Sequence, residues 1–275
     1  MVTFPNCKIN LGLNIIRKRT DGFHDLETVF YPIQIKDALE IITASNISKP
    51  IGDIQFSTSG LAVDGSSADN ICIKAYQLLK KDFPTLPSIQ MHLHKAIPMG
   101  AGLGGGSADG AFTLKMLNEK FGLRLSHQQL IDYALQLGSD CPFFILNQPC
   151  FASSRGEKMT LVELDLSAYQ FVIVNPGIHV NTGWAFKQIT PAVPVQSVQT
   201  IITQPIEDWK DVLINDFELP VVTAYPAIAA IKQELYNLGA IYASMSGSGS
   251  TVFGIFHKNA QLNLQFPESY LVMKP

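Results

Sequence analysis

The chain has 275 residues and 30.2 kDa, with 47% hydrophobic and 16% charged residues, enough apolar content for a substantial core and little left for charged tails. A formal charge of −3 and a pI near 6.1 give no general attraction to polyanions, which argues against a nucleic-acid binder working by phosphate neutralisation. The longest apolar runs, such as Phe171–Val174 and Phe143–Leu146, fall far short of the ~18 residues of a membrane span, and Met1–Asn10 has no charged segment leading into an apolar one, so a cytoplasmic chain is expected.

Alternation predicts a first strand with Ile9, Leu11, Leu13 and Ile15 on one face and Lys8, Asn10, Gly12 and Asn14 on the other, a polar face that begins with a lysine. Strand-like runs return at Thr28–Ile35 and Leu39–Thr43, followed by a Ser/Gly-rich stretch from Ser57 to Ala68. A helix comes next, with Asp69 as its cap, Ile71, Ala75, Leu78 and Leu79 as its stripe, Lys80 and Lys81 at its C-terminal dipole and Pro84 beyond. Ile89–Lys95 alternates again, His92 and His94 against Met91 and Leu93, the pattern of a half-exposed strand in an antiparallel or mixed sheet. For the two histidines a solvent-facing pair is favoured over a metal site, because no third ligand is near in sequence.

Pro98-Met-Gly-Ala-Gly-Leu-Gly-Gly-Gly-Ser107 then opens a helix striped by Ala111, Leu114, Leu117 and Phe121 and closed by Gly122. Ser126 and Gln129 form a capping box for a helix ending at Gly138, with Asp140 just beyond. Cys141–Leu146 reads as a strand, as do segments near Met159–Leu164 and Gln170–Asn175. Thr190–Pro205 looks like a long irregular connection or lid, and Pro220–Leu238 a helix closed by Gly239. Strand Ile241–Met245, the small-residue turn Ser246–Ser250 and strand Thr251–Phe256 complete the chain. A soft boundary near residue 160 divides it into 1–160 and 161–275. Cys7, Cys72, Cys141 and Cys150 show no CxxC and lie in apolar stretches, so they read as reduced packing thiols.

The strongest chemical signal is the loop with five glycines in seven positions, Gly100, Gly102, Gly104, Gly105 and Gly106, running into a helix. Such a loop lets backbone approach a ligand and offers unpaired N–H groups and a positive dipole end to a phosphate. It is not a Walker loop, since Gly106 stands where the lysine would precede the serine. Gly100-x-Gly102-x-x-Gly105 satisfies the dinucleotide fingerprint but follows a half-polar strand 100 residues into the chain, not the first buried strand of a βαβ unit. A flexible loop without a ligand is the plain alternative. Asp140 taken by itself reads as a turn residue and Lys8 as a surface lysine. Together with a phosphate loop they form a coherent set: a carboxylate to take a hydroxyl proton, an amine to hold charge beside it, and amides to hold a triphosphate. The turn Met245–Thr251 either admits a substrate phosphate or is a simple hairpin; it is not a serine-hydrolase elbow.

In this order, these motifs resemble the GHMP kinases, the family of galactokinase, homoserine kinase and mevalonate kinase. The resemblance spans essentially the whole chain. The segments Pro5-Asn-Cys-Lys-Ile-Asn-Leu-Gly-Leu13, Lys18-Arg-Thr-Asp-Gly-Phe-His24 and Gly138-Ser-Asp-Cys-Pro142 narrow it to the branch acting on a cytidine-diphosphate-linked methylerythritol in isoprenoid precursor synthesis. The resemblance implies an α/β fold of two lobes, the N-terminal one with a mixed sheet and the C-terminal one with an antiparallel sheet and helices on one face, and ATP and substrate between them. It implies a small-molecule substrate, ATP with Mg²⁺, no nucleic-acid or membrane partner, and a monomer or homodimer.

By the same resemblance Asp140 is the general base and Lys8 stabilises the alkoxide and keeps Asp140 ionised. Pro98, Met99, Gly100, Ala101, Gly102, Leu103, Gly104, Gly105, Gly106 and Ser107 cradle ATP, with Asn70 near the adenine. Asn10 orients the substrate, Phe23 and Phe186 sandwich its cytosine, His24 reads the base, and Gly247 and Ser248 line the substrate side. Two departures stand out: Phe23 replaces a common Tyr, and Ala108-Asp109 replaces a common Ser-Asn. Asp109 then faces Mg²⁺ together with Ser107, or turns away to cap the helix.

Overall fold

A computed structural model describes residues 1–44, 53–63 and 65–275 of the chain. Its elements in chain order are β1 (Val2–Thr3), β2 (Asn6–Lys18), β3 (His24–Lys36), β4 (Ala38–Thr43), β5 (Ile54–Gly60), α1 (Ile71–Asp82), β6 (Ile89–Lys95), α2 (Gly105–Lys120), α3 (His127–Leu137), α4 (Cys141–Leu146) and β7 (Cys150–Ser154). There follow β8 (Lys158–Leu161), β9 (Tyr169–Asn175), α5 (Thr182–Lys187), α6 (Val198–Ile201), α7 (Glu218–Ala224), α8 (Pro226–Asn237), β10 (Tyr242–Met245), β11 (Val252–His257) and β12 (Leu271–Met273). The chain divides into two compact units, neither continuous in sequence. One comprises Met1–Cys7, Gln34–Met99 and Gly104–Asn147, the other Lys8–Ile33, Gly100–Leu103 and Gln148–Pro275.

The first unit contains a four-stranded sheet in the order β1-β4-β6-β5. It is mixed: β4 pairs antiparallel with β1 and β6, whereas β5 runs parallel to β6. The alternation read in β6 is realised, since Met91 and Leu93 are buried and His94 is exposed. The histidine face carries a hydroxyl network in which Ser57 Oγ meets His92 Nδ1 at 2.8 Å, and Ser59 Oγ meets His92 Nε2 at 2.9 Å and His94 Nδ1 at 3.0 Å. Helix α2 packs against α1, α3, α4 and β4, burying Ala111, Leu114 and Leu117. The Ser126–Gln129 capping box is present on α3.

Several expectations are corrected here. Asn70, not Asp69, caps α1: its side chain accepts from the Cys72 N–H, while Asp69 lies in a short 3-10 turn. The Ser/Gly-rich stretch begins as the end of a strand, β5, which pairs with β6 along its whole length and takes up the first third of the stretch; residue 64 within it lies outside the described residues. Cys141–Leu146 is helical, not extended. A short apolar run has no period long enough to separate the two, and Pro142 in the first turn suits a helix start.

The second unit holds the antiparallel sheet β10-β11-β9-β12 and nearly all of the sheet β2-β3-β7-β8. Helix α8 lies on β10 and β11. Its core joins Leu13 and Ile15 of β2 to Val172, Val174, Phe217, Ile228, Ile231, Leu235, Val252 and Phe256. The expected helix over 220–238 is two, because Pro226 cannot continue α7 and instead starts α8 after Tyr225. Within Thr190–Pro205 the residues Val198–Ile201 form the short α6, capped by Ser197. All four cysteines are buried and none is in a disulfide, as packing thiols should be. Among the described residues no helix is long and apolar enough to cross a membrane.

Candidate functional site

The polar face of β2 is buried rather than solvated: Lys8 is 4% and Asn10 2% exposed. A buried ammonium must be compensated, and Lys8 Nζ donates to Asn10 Oδ1 at 2.6 Å and to the Gly102 carbonyl at 3.2 Å, with the Phe30 ring centroid 5.0 Å away. Asn10 is fixed in turn, its amide donating to Thr28 Oγ1 at 3.0 Å and its backbone N–H to Ser246 Oγ at 3.2 Å. Thr28 donates to the Gly12 carbonyl at 2.5 Å.

The second small-residue motif is both a hairpin turn and part of this cluster. Strands β10 and β11 pair through Met245 and Val252, and the turn between them presses on the glycine loop. Ser246 Oγ donates to the Gly102 carbonyl at 2.8 Å, and the Lys8 N–H to the Leu103 carbonyl at 2.9 Å. A Cβ on Gly102, whose φ is 79°, would lie 2.0 Å from the Ser246 carbonyl oxygen, so only glycine fits. Asn215, which carried no signal in the sequence, holds the turn from below with bonds of 2.8 Å from its amide to the carbonyls of Met245 and Gly247. Ser248 Oγ meets Thr182 Oγ1 at 2.9 Å.

The rest of the glycine loop belongs to the first unit. Gly104 takes the left-handed conformation (φ 68°) at the N-cap of α2 and has no side chain there to occupy the first N–H groups. Ser107 stands in that first turn, its hydroxyl beside the Cys141 thiol, which burial pushes up to about 12. Asp140 occupies the N-cap position of α4, its carboxylate unused in the cap. Asn70 spends one oxygen on capping α1.

Asp109 departs from both of its expected roles. Its carboxylate faces inward, where Lys95 Nζ donates to Asp109 Oδ2 at 2.7 Å and also to Asp37 Oδ2; the Lys95 and Asp37 side chains are wholly buried. Asp37 Oδ1 accepts the N–H groups of Ala96 and Ile97 at 2.6 and 2.9 Å, whereas Asp109 Oδ1 is buried with no partner. Burial pushes Asp109 up to about 8 against the pull of Lys95. A divalent cation held by Ser107 and Asp109 does not fit this arrangement, because the carboxylate is spent inside the core. Among the described residues no group of three or more His, Cys, Asp or Glu side chains gathers as a ligand set.

Of the residues expected at the cytosine, His24 and Phe186 come together, their rings stacked at 4.7 Å with an interplanar angle of 16°. Phe186 is backed edge-on by Phe217 at 4.8 Å. The imidazole therefore covers one face of Phe186. Phe23 is 52% exposed. Burial and the charge of Lys18 lower the His24 pKa from its usual 6.5, which favours the neutral ring.

Two family models match the chain, that of the GHMP kinases N terminal domain over residues 70–148 and that of the GHMP kinases C terminal over residues 204–265. A Bacteroides fragilis protein named 4-diphosphocytidyl-2-C-methyl-D-erythritol kinase is 54% identical over 256 residues, covering 93% of this chain and 92% of its own. A Cytophaga hutchinsonii protein of the same name is 47% identical over 258 residues, 94% of this chain and 93% of its own. A crystal structure of 4-(cytidine 5'-diphospho)-2C-methyl-D-erythritol kinase matches with a TM-score of 0.79 at 28% identity, covering 93% of this chain and 90% of that one. The mevalonate kinase of Methanococcus jannaschii shares the fold, with a TM-score of 0.69 at 12% identity over 100% of this chain and 97% of that one.

Proposed function

The chain belongs to the GHMP kinase family, and from that premise we propose that it transfers the γ-phosphate of ATP to the 2-hydroxyl of 4-(cytidine 5'-diphospho)-2-C-methyl-D-erythritol, a step of non-mevalonate isoprenoid precursor synthesis. The observation that carries the reading is the buried Lys8 ammonium, fixed by Asn10 and by a carbonyl of the glycine loop. An immobile cation in a site poor in water stabilises a developing alkoxide more than a solvated one, and no reorganisation is needed as the reaction proceeds.

Asp140 takes the proton of the attacking hydroxyl while Lys8 holds the oxygen's growing charge; Asn10 orients the substrate. The glycine loop from Pro98 to Ser107 holds the phosphates through backbone N–H groups, and Asn70 lies at the adenine. His24 reads the edge of the base, whose faces stack on Phe23 and Phe186, with Gly247 and Ser248 on the substrate side. Transfer is in line, without a phospho-enzyme. Magnesium would come with the triphosphate, leaving Ser107 as its protein partner. On this reading residues 1–160 carry the ATP-binding and catalytic groups, and 161–275 contribute Phe186, Gly247 and Ser248.

The test is ATP-dependent phosphorylation with a panel of the cytidine-diphosphate substrate, mevalonate and homoserine. The cytidine-diphosphate compound alone should turn over, and Asp140→Asn or Lys8→Ala should each lower kcat by roughly a hundredfold or more while ATP still binds. Preferred turnover of another alcohol, or near-normal rates in both variants, would refute the reading.

A further inference from the structure

A cation stands over Phe23, one of the residues expected at the cytosine. Strand β7 ends at Ser154, which lies in the left-handed region (φ 61°), and the turn to β8 presents Arg155 next to it. This turn meets the segment 17–25 in two places: Arg19 Nη1 donates to Ser154 Oγ at 3.1 Å, and the Arg155 guanidinium lies 4.8 Å from the centroid of the Phe23 ring.

The two contacts do different work. The backbone of the segment is tied by its own ions, since Asp21 accepts the Phe23 N–H at 3.1 Å and is held by Arg19, which also reaches Asp25 at 3.0 Å. The Phe23 ring has no hydroxyl to fix it and is half exposed, so contacts at its faces set its orientation. Arg155 supplies one of them. Its neighbour Glu157 stands 3.7 Å from Nε, beyond hydrogen-bond length, so the guanidinium is not drawn off the ring by a tight ion pair.

Resting on the kinase reading above, we propose that Arg155 is a positioning residue for base recognition: it covers one face of Phe23 by a cation–π contact and so presents the opposite face to the cytosine. A planar guanidinium can lie flat on the ring while its stem packs along the turn, which a lysine reproduces in part. Loss of one exposed contact of this kind corresponds to about a two- to fivefold change in an equilibrium constant.

Steady-state kinetics of Arg155→Ala, Arg155→Lys, Phe23→Ala and the Arg155→Ala/Phe23→Ala double variant provide the test, with melting temperatures as the check on folding. The KM for the cytidine-diphosphate substrate should rise about two- to fivefold in Arg155→Ala and less in Arg155→Lys, with the KM for ATP unmoved. On the Phe23→Ala background the Arg155→Ala effect should vanish. An unchanged KM in Arg155→Ala, or an equal rise on both backgrounds, overturns the proposal while the kinase reading stands. A wild-type protein that does not phosphorylate the cytidine-diphosphate compound removes both.

Discussion

At the level of single residues, the polar face of β2 shows how far the pattern could be read. Alternation placed Lys8 and Asn10 together, but an alternating strand normally turns its polar face to water, and here that face is covered. What buries it is a set of small residues distant in sequence, Gly102 and Ser246, whose approach has no local signature. His24 is a second case. Its lowered pKa keeps the imidazole neutral near pH 7, with one nitrogen donating and one accepting, the complement of a cytosine edge. Protonation turns both nitrogens into donors. Because the folded pKa lies below the ordinary 6.5, the folded state takes up fewer protons than the unfolded one, and stability falls as the pH drops from 6.5 towards the folded value. The KM for the cytidine-diphosphate substrate is expected to be flat from about pH 8 to 7 and to climb towards tenfold per unit below the folded pKa. His24→Asn, measured across the same range, should show a higher but pH-independent KM; an unaltered acid limb in that variant would remove His24 from the base.

At the level of elements, the ends of the glycine loop are joined by the Asp37–Lys95–Asp109 cluster. Lys95 closes β6, Asp37 binds the two backbone N–H groups that follow it, and Asp109 belongs to α2, so one buried ammonium ties strand to helix across the loop. Lys95→Met leaves the buried Asp37 and Asp109 without their cation and is expected to cost about 3–5 kcal/mol in denaturant unfolding, the penalty of breaking a buried pair by removing one partner. Asp109 acts in the opposite sense. Its raised pKa means that the folded state binds the proton more tightly, so its contribution is favourable in acid and is lost as the pH rises from the ordinary 3.8 towards about 8. The melting temperature of Asp109→Asn relative to wild type should therefore improve steadily between pH 5 and pH 8. A difference that does not change over that range would mean that Asp109 is ionised throughout. None of this was visible in the chain, where Asp109 read as a charge beside phosphates: helical spacing does not say which face of a short, glycine-rich first turn is buried. Longer signals served better. The capping box of α3, the stripe of α2 and the alternation of β6 all hold, because each rests on several residues agreeing. Cys141–Leu146 had six apolar residues and no period to decide them.

At the level of the whole molecule, order along the chain and membership of a compact unit are different things. The hairpin strands Lys8–Ile33 lie far upstream in sequence, yet they pack within the unit that also holds Gln148–Pro275. Leu13 and Ile15 enter the same core as Val172, Phe217 and Leu235, and β3 pairs with β7 from Leu26 to Phe30. Local patterns cannot announce such a return, since the pairing joins residues more than a hundred positions apart and depends on which face of β2 finds a partner. A fragment of residues 161–275 keeps the antiparallel sheet β10-β11-β9-β12 and helices α7 and α8, but lacks two large aliphatic side chains of their core and the whole of β2, β3 and β7. Deleting two buried aliphatic side chains costs about 2–5 kcal/mol each, comparable with the 5–15 kcal/mol stability of a typical domain. The fragment is therefore expected to show no cooperative thermal transition by circular dichroism and to bind a hydrophobic dye. Joining residues 8–33 to its N-terminus through a flexible linker, together with residues 148–160, should restore a cooperative transition. A bare 161–275 fragment that melts sharply by itself would show that β2 is dispensable to this core.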